Sequence, residues 1–383
     1  MPEVPPVIPQ ETARDGHVIV WSDLKSEHAW AEPAIDYVGD ANDWMRDFRA
    51  KPDGTYPFRP DAIETRRYLA RAVVRAFAPR AKTDPSVVFT DIDASSPFFR
   101  FASIAVGRGW MGRSPDGAFQ PDRNVTMTML HRVLVLALGL RPAARSLNAL
   151  HARDGVRFKL PAGFGTTLLG MRLFLRYNNW DEAKDVGPAS PMSRAQVAYS
   201  LFRAKTQASW YLQDLLDQYR GIRLPHLGPR QQEIVRWGVR YVGYPYVWGG
   251  EWGYARPEPT ALGGQPIPGF DCSGLTWWAI RKDDGGSWDV APPRPYRGWD
   301  LPQRTSRDMA TLTTTRIRFG DLRPGDIMFY DGEGNDGIAD HVNTFIGNGF
   351  ALDSSSSPGG VTLMWIGDGW YRDHFMYGRR VLG

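Results

Sequence analysis

One cysteine stands out among the residues that could do chemistry. Cys272 is the single cysteine in 383 residues, which excludes an internal disulfide framework and a zinc site built from several cysteines. Three roles remain for it: a buried bystander, a link to another molecule, or a nucleophile. Composition alone favours the bystander, because free cysteines are usually small buried hydrophobic residues. The sequence around Cys272 must therefore decide.

The residues that flank Cys272 favour the nucleophile. Residues 269–275 read Gly-Phe-Asp-Cys-Ser-Gly-Leu, and the run from Ser273 to Lys282 has helical character. A sulfur at the start of a helix lies beside unpaired backbone amides and the positive end of the helix dipole, and both stabilise the thiolate. The backbone amide of Cys272 would also point toward the oxyanion that forms when a thiolate attacks a carbonyl.

A cysteine nucleophile needs a base, and two histidines follow it in the chain. His341 begins an alternating strand pattern at residues 341–347, and a strand fixes the direction of its side chains. The other nitrogen of that imidazole needs an acceptor, and Asp353, on the next predicted strand, fits. His374 is predicted to be structural, and a role as the third group is the alternative.

The elements that must hold these residues change character along the C-terminal part. From Gln231 to Val242 the apolar spacing is helical, and afterwards glycine, proline and aromatic residues punctuate short strands such as residues 326–330. Helices first and strands later predict an α+β domain, which we place at residues 229–383.

Four ordered motifs give this part a resemblance to a known family. They are the aromatic and glycine-rich residues 244–250, the cysteine motif, Leu-Arg-Pro-Gly-Asp at 322–326, and His-Val followed by Ile-Gly-Asn-Gly within 341–349. Residues 229–383 thereby resemble the NlpC-type, papain-like cell-wall cysteine peptidases. The resemblance implies a papain-like fold and cleavage of amide bonds in peptidoglycan stem peptides, commonly between γ-D-glutamate and a diamino acid. It implies no metal and no organic cofactor.

The same resemblance assigns roles to individual residues. It implies that Cys272 is the nucleophile, that His341 is the base, and that Asp353 is the orienting third group, where many members have a second histidine. It also implies that three residues contact the substrate: Tyr246, Asp271 and Ser273. Each of the three has an alternative role, which is core packing for the tyrosine and capping of the cysteine helix for the other two.

Two stretches beside these motifs, residues 251–268 and 283–300, are longer than this fold needs. Long loops beside a cleft tend to be lids or specificity elements. We therefore expect these stretches to narrow the substrate range or to cover the cysteine, and surface decoration is the alternative.

The first half of the chain contains a three-fold repeat. Each copy is anchored on a Ser or Thr that follows a proline by five positions, and the anchors are Thr65, Thr126 and Ser193. Apolar residues at the fourth, eighth and ninth positions after each anchor form one helix face, which makes the anchor the helix N-cap. The pattern predicts three mainly helical units within residues 18–205, at about 18–80, 86–141 and 156–205. A linker helix and turn follow at 206–228.

These units resemble S-layer homology repeats, which often occur in threes and hold exported proteins to cell-wall glycopolymers. In that family an arginine after the capping residue helps to bind the polymer. By position the polymer-binding residues would be Arg66 and Arg194, whereas the second copy has Met127 there. The resemblance implies an anionic secondary wall polymer as a partner, and the alternative is that the copies form a packed three-fold platform.

Bulk composition limits the other classes. The formal charge of +4 comes from 46 Lys+Arg and 42 Asp+Glu without a long basic run, which argues against a dedicated nucleic-acid arm. The sequence contains no window of about 20 uninterrupted apolar residues that would predict a membrane span. Residues 1–17, a predicted tail, show no export signal. We expect a secreted or wall-associated protein, with a phage-encoded wall hydrolase as the alternative.

Together these patterns predict a peptidoglycan hydrolase that wall-binding repeats position. Two other functions stay open: a cell-wall scaffold whose catalytic domain is silent, and a related amidase or acyltransferase that acts on a different substrate. The three functions differ in whether Cys272 reacts, and with what.

Overall fold

The structure, a computed structural model, describes residues 19–260, 263–281, 301, 303–311, 315–332, 334 and 336–382. Its helices are α1 (Glu32–Ile35), α2 (Arg66–Phe77), α3 (Phe99–Gly107), α4 (Met127–Ala137), α5 (Arg141–Asn148), α6 (Phe164–Arg172), α7 (Arg194–Lys205), α8 (Ser209–Tyr219), α9 (Pro229–Gly238), α10 (Cys272–Arg281), α11 (Ser306–Ala310) and α12 (Gly369–Asp373). Its strands are β1 (Glu251–Trp252), β2 (Arg256–Thr260), β3 (Gly263–Gln265), β4 (Gly269–Phe270), β5 (Arg316–Ile317), β6 (Ile327–Tyr330), β7 (His341–Gly347), β8 (Phe350–Ser355), β9 (Gly360–Trp365) and β10 (Phe375–Arg379). The predicted α+β class with a mainly helical first half is confirmed. Within the ranges given, the helices are too short or too polar to cross a membrane.

The three repeats close into a ring through the backbone of the residue that precedes each anchor. The amide of Glu64 donates to the carbonyl of Met192, that of Met192 to Val125, and that of Val125 to Glu64, at 2.9, 2.8 and 2.9 Å. Amides in the first turns of α2, α4 and α7 also donate to the carbonyls of the prolines before the anchors, Pro121, Pro188 and Pro60. Each copy is therefore hydrogen-bonded to both of the others.

The helix after each anchor begins where the pattern predicts. Helices α2, α4 and α7 start directly after Thr65, Thr126 and Ser193. The hydroxyls of Thr126 and Ser193 accept hydrogen bonds at 3.3 Å from the amides of Met129 and Gln196, which confirms both as N-caps. The hydroxyl of Thr65 has no hydrogen-bond partner among the described residues, so the predicted cap bond is wrong for this copy.

The arginines predicted to bind polymer, Arg66 and Arg194, lie inside the ring. Arg194 is 2% exposed, and its guanidinium donates at 2.8 Å to each of the carboxylates of Glu64 and Asp47. The guanidinium of Arg66 donates at 2.7 Å to each of two backbone carbonyls of the second copy. Buried guanidinium groups with occupied donors hold the copies together, because an unpaired charge there would be costly. This geometry corrects the predicted polymer contact and favours the packed platform.

The C-terminal half is built on a six-stranded antiparallel sheet in the order β5-β10-β6-β7-β8-β9. Helix α10, which begins with Cys272, packs on β7 and β8. Thr344 of β7 pairs with Leu352 of β8. Because side chains alternate between the two faces of a sheet, this register puts His341 and Asp353 on the same face.

The stretch at residues 251–268 is not one loop. Strand β1 pairs with β4, and β2 pairs with β3. The side chain of Gln265 ties them together, since it donates to the carbonyl of Trp252 at 2.7 Å and accepts from the amide of Glu251 at 2.9 Å. The described part of this stretch therefore consists of short paired strands, which corrects the expectation of a long loop. The second stretch, residues 283–300, lies outside the described residues.

The third repeat and helix α8 pack directly against the sheet. Helix α6 lies on β9, and the hydroxyl of Tyr219 in α8 donates to the carbonyl of Leu363 at 2.6 Å in a buried contact. The carboxylate of Glu182 accepts from the amide of Trp248 at 2.9 and 3.0 Å. The two halves of the chain are therefore in direct contact.

Candidate active site

A cleft of about 700 Å³ lies where the helical half meets the sheet. Side chains from both halves line it, among them Arg172, Tyr211, Tyr246, Cys272, His341 and Tyr371. A cleft of this size admits a short peptide. Two predicted catalytic residues and one predicted substrate residue are therefore within reach of the same ligand.

Cys272 is the first residue of α10, as predicted. It is mostly buried, with 8% exposed, and it lines the cleft. The first amides of a helix have no acceptor within the helix, so the sulfur lies beside partial positive charge that stabilises a thiolate. The carboxylate of Asp271 caps this helix by accepting from the amide of Gly274.

The imidazole of His341 lies between Cys272 and Asp353. Its Nε2 is 2.8 Å from Oδ1 of Asp353, which leaves the other ring nitrogen, Nδ1, for an interaction with Cys272, whose proximity helps to raise the pKa of the ring. The carboxylate of Asp353 is fully buried, and its second oxygen accepts from the hydroxyl of Tyr371 at 2.9 Å. The structure thus brings the three predicted catalytic residues together, with the aspartate behind the histidine.

The surroundings of His341 keep its ring protonated. Burial alone would lower the pKa of His341, but the charge and hydrogen bond of Asp353, together with the hydrogen bond to Cys272, raise it to about 10. An imidazolium beside a sulfur favours the thiolate form. The ring of His341 is therefore an imidazolium at neutral pH, and its positive charge lies beside the sulfur of Cys272.

Tyr246 lines the cleft close to Cys272. Its backbone amide donates to the carbonyl of Gly359 at 2.8 Å, which ties its segment to the start of β9. Burial and the nearby charges of Cys272 and Asp271 raise the pKa of the Tyr246 phenol. The hydroxyl is therefore neutral and able to donate a hydrogen bond to a substrate carbonyl. The substrate role of Tyr246 stays a prediction that this placement supports.

The side chains of Asp271 and Ser273 are buried and hydrogen-bonded to other protein groups. They are 5% and 4% exposed, and both accept from the guanidinium of Arg304, at 3.1 Å to Asp271 Oδ1 and 2.8 Å to Ser273 Oγ. Contacts of these atoms with substrate stay a prediction, because the geometry shows only that they support the start of the cysteine helix. It favours the alternative, in which the two residues fix the position of the nucleophile.

Sequence reasoning missed several residues of this support. Arg304 pairs with Glu251 as well as with Asp271, yet no motif surrounds it. A Cβ on Gly274 would lie 2.0 Å from the carbonyl oxygen of Gly250, so only glycine fits at this point of the motif. Tyr371 lies three residues before His374. No sequence pattern indicated that its hydroxyl donates to the carboxylate of Asp353.

His374 lies outside the catalytic group. Its Nδ1 is 2.9 Å from the carbonyl oxygen of Trp370, and its ring stacks on the Trp370 indole with centroids 4.8 Å apart. These contacts agree with the structural role predicted for it.

One group among the described residues has the spacing of metal ligands. It consists of Glu27, His28 and Asp61, on the first repeat. His28 already bonds to Asp61 through Nε2 at 3.0 Å, and its Nδ1 accepts from the amide of Lys25. Both imidazole nitrogens thus have partners, and the group contributes nothing to the cleft.

Comparisons with known proteins find a family match in each half of the chain. Residues 243–380 match the model of the NlpC/P60 family, and residues 88–126, within the second predicted repeat, match that of the S-layer homology domain. The probable endopeptidase YafL of Escherichia coli (strain K12) is 28% identical over 141 residues, which are 37% of this chain and 46% of that protein. The gamma-D-glutamyl-L-lysine dipeptidyl-peptidase of Bacillus subtilis (strain 168) is 24% identical over 149 residues, 39% of this chain and 40% of that protein.

A solved structure of the peptidoglycan hydrolase RipB from Mycobacterium tuberculosis is also similar. It is 26% identical, covers 40% of this chain and 65% of that chain, and has a TM-score of 0.29. The present chain spans less than half of the length of the two curated relatives named above. The similarity is therefore one of domains.

Proposed function

We propose that this chain, whose residues 243–380 form an NlpC/P60 domain preceded by an S-layer homology domain, hydrolyses amide bonds in peptidoglycan stem peptides. One observation carries the proposal. Cys272 lies at a helix start in a peptide-sized cleft, beside the ring of His341, whose Nε2 is 2.8 Å from Oδ1 of Asp353. A nucleophile, a base and an orienting carboxylate in contact are the arrangement that acyl transfer requires.

In the proposed reaction, the thiolate of Cys272 attacks the carbonyl carbon of the scissile amide. The amide of Cys272 stabilises the oxyanion that forms. The His341 imidazolium gives its proton to the leaving nitrogen, the C–N bond breaks, and an acyl thioester remains on the sulfur. Water then attacks the thioester while His341 accepts its proton, and release of the acid restores the thiolate and the imidazolium. Asp353 holds the ring throughout and stabilises its positive charge.

The finer substrate assignment is the bond between γ-D-glutamate and a diamino acid. Its support is the match to relatives whose names refer to cleavage of such peptides, the dipeptidyl-peptidase of Bacillus subtilis among them. The carboxylate of Asp353 is a stronger partner for an imidazolium than a neutral side chain would be, which suits a site that works through an ion pair.

The repeats are proposed to hold the protein at the cell surface through a secondary wall polymer. The match of residues 88–126 to the S-layer homology domain supports this location. The buried state of Arg194 and Arg66 means that any polymer contact is made by other residues of the ring. Secretion and a phage origin both remain consistent with such a location.

The test is digestion of purified peptidoglycan by the wild type and by Cys272→Ala, with new amino termini identified by mass spectrometry. Wild-type digests should contain new termini on the diamino acid, and Cys272→Ala digests should lack them. Identical digests would reject the hydrolase.

A second measurement separates an active site from a silent scaffold. Cys272 is the one cysteine of the chain, so any label from a thiol-directed electrophile reports on this site. We expect rapid labelling at neutral pH that His341→Ala slows strongly. Slow labelling that is equal in both proteins would favour the scaffold.

A further inference from the structure

Arg172 brings a positive charge from the third repeat into the cleft. It is the last residue of α6, and it lines the cleft together with Cys272 and His341. Its guanidinium contacts the sulfur of Met364 and shares a hydrogen bond with the hydroxyl of Tyr219. Its Nε has no hydrogen-bond partner among the described residues.

Among the described residues no carboxylate forms an ion pair with this guanidinium, although Asp214, Asp340 and Asp368 line the same cleft. The groups that face the guanidinium are the phenols of Tyr211, Tyr219 and Tyr371 and, with a smaller effect, Asp353. Burial raises the pKa of Tyr219 to about 12, so its phenol is neutral at physiological pH. Asp353 already accepts from His341 and Tyr371. The guanidinium therefore lacks a counter-ion of its own.

Arg176, a fully buried arginine of the same repeat, has a counter-ion, whereas Arg172 is only partly buried. Arg176, which follows α6, lies 3.2 Å from the carboxylate of Asp185, and both side chains are buried. A buried cation is normally paired in this way, because desolvation of an unpaired charge is costly. Arg172 is partly exposed to the cleft and has no ion pair among the described residues, so an anionic ligand group there would supply its counter-ion.

We propose that Arg172 is a specificity residue that binds a free carboxylate of the stem peptide in the cleft. The inference rests on the proposed hydrolase function and adds a role for the repeat half in substrate recognition. A γ-linked glutamyl residue keeps its α-carboxylate free next to the scissile amide, and a diamino acid can carry a second one on the other side. The planar fork of a guanidinium matches either group with two parallel hydrogen bonds.

The test uses three synthetic stem peptides that differ only in charge. One has both carboxylates free, one has the glutamyl α-carboxylate as a carboxamide, and one has the diamino-acid carboxylate as a carboxamide. The wild type should cleave the first peptide with a kcat/KM higher than that for one of the amides, on the order of tenfold to a hundredfold. The amide that is cleaved poorly identifies the carboxylate that Arg172 binds.

The variants Arg172→Met and Arg172→Lys separate recognition from packing. Arg172→Met should lose the discrimination by slowing only the two peptides that keep the recognised carboxylate, mainly through KM, and Arg172→Lys should restore part of it. Arg153→Met, which removes an exposed arginine outside the cleft, controls for net charge and should keep the discrimination. An equal loss on all three peptides, or unchanged discrimination in Arg172→Met, would overturn the proposal.

Binding measurements keep this result separate from failure of the hydrolase. Calorimetric titration of Cys272→Ala with the same peptides reads recognition without turnover, so it applies even if the wild type cleaves none of them. Tighter binding of the free acid that depends on Arg172 supports the proposal. Equal or absent binding of the three peptides rejects it.

Discussion

The ring of repeats and the cleft differ in how they hold charged side chains. In the ring, Arg194 is enclosed by the carboxylates of Glu64 and Asp47 at 2.8 Å each. In the cleft, Arg172 meets neutral phenols and a methionine sulfur, and His341 shares its charge with a thiol that must react. A charge that has a counter-ion stabilises the fold, whereas a charge without one is available to bind a ligand.

The same contrast appears in two histidines, of which His131 is fully buried and His341 is partly exposed to the cleft. His131 of α4 is fully buried in the helical half, and this burial lowers its pKa to about 3. His341, in the cleft, has its pKa raised to about 10 against the effect of burial by Asp353 and Cys272. At neutral pH His131 is therefore neutral, whereas His341 is protonated.

The largest expected effect concerns Asp353→Asn, which removes the negative charge behind His341. Without that charge, burial lowers the pKa of His341 and the imidazolium is lost at neutral pH. We expect peptide cleavage to fall on the order of a thousandfold. The rate of alkylation of Cys272 against pH reads the same change without substrate, and it should fall at neutral pH. Asp217→Asn, an exposed carboxylate on α8, is the control, and equal profiles for the two variants would contradict the role of Asp353.

The next effect compares the two arginines by stability. Arg194→Met leaves the buried carboxylate of Glu64 without its cation, whereas Asp47 keeps its ion pair with Arg71, so the free energy of unfolding should fall by about 3–5 kcal/mol. Arg172→Met leaves no buried carboxylate without a cation, so its free energy of unfolding should fall by a several-fold smaller amount. Urea titration of both variants measures the difference. Equal losses would mean that Arg172 is as structural as Arg194.

A pH effect of intermediate size separates the two histidines. Because the pKa of His131 is lower in the folded than in the unfolded chain, its contribution is complete above pH 6.5 and is lost as pH falls toward about 3. The loss is about 1.4 kcal/mol per pH unit, or roughly 2 kcal/mol between pH 6.5 and 5. For His341 the sign is opposite, and its contribution is lost as pH rises from 6.5 toward about 10.

His131→Met removes the first of these titrations. Urea midpoints measured between pH 7 and 5 should show a shallower decline for His131→Met than for the wild type. His341→Met should leave that acid decline as it is and flatten the alkaline one. If the wild type and His131→Met lose stability in parallel on acidification, another group is responsible.

The smallest effect concerns the helix caps of the ring. Ser193→Ala removes a hydroxyl that accepts from the amide of Gln196, and it should cost about 1 kcal/mol. Thr65→Ala removes a hydroxyl that has no partner among the described residues, and it should cost little. Thermal unfolding of the two variants, compared at one pH, measures the difference. A larger loss for Thr65→Ala would contradict the assigned caps.

Sequence reasoning succeeded where local pattern and structure coincide. The helix start placed Cys272, the alternating strand placed His341, and the next strand placed Asp353, because each depends on residues close by in the chain. The anchors Thr126 and Ser193 were predicted for the same reason. The residue types at these positions are enough to indicate the chemistry.

Contacts between distant parts of the chain left no such trace. The environment of Arg194 depends on Glu64, which belongs to the first copy while the arginine belongs to the third, and its burial is therefore invisible in either segment. Arg304 and Arg172 likewise acquire their roles from partners in other elements. The arginine of the repeat motif was identified, but its direction was not, because solvent exposure follows from tertiary packing.

The hydrogen-bonded triangle of Glu64, Val125 and Met192 constrains how this half of the chain is made and inherited. An open array of repeats can gain or lose a unit at its end, since each unit contacts only its neighbours. A closed triangle has no end, so the loss of one copy strands amides and carbonyls on both of the others. During synthesis the first copy cannot complete its bonds until the third has left the ribosome. The copy number is thereby held at three, and evolution must alter the copies in place.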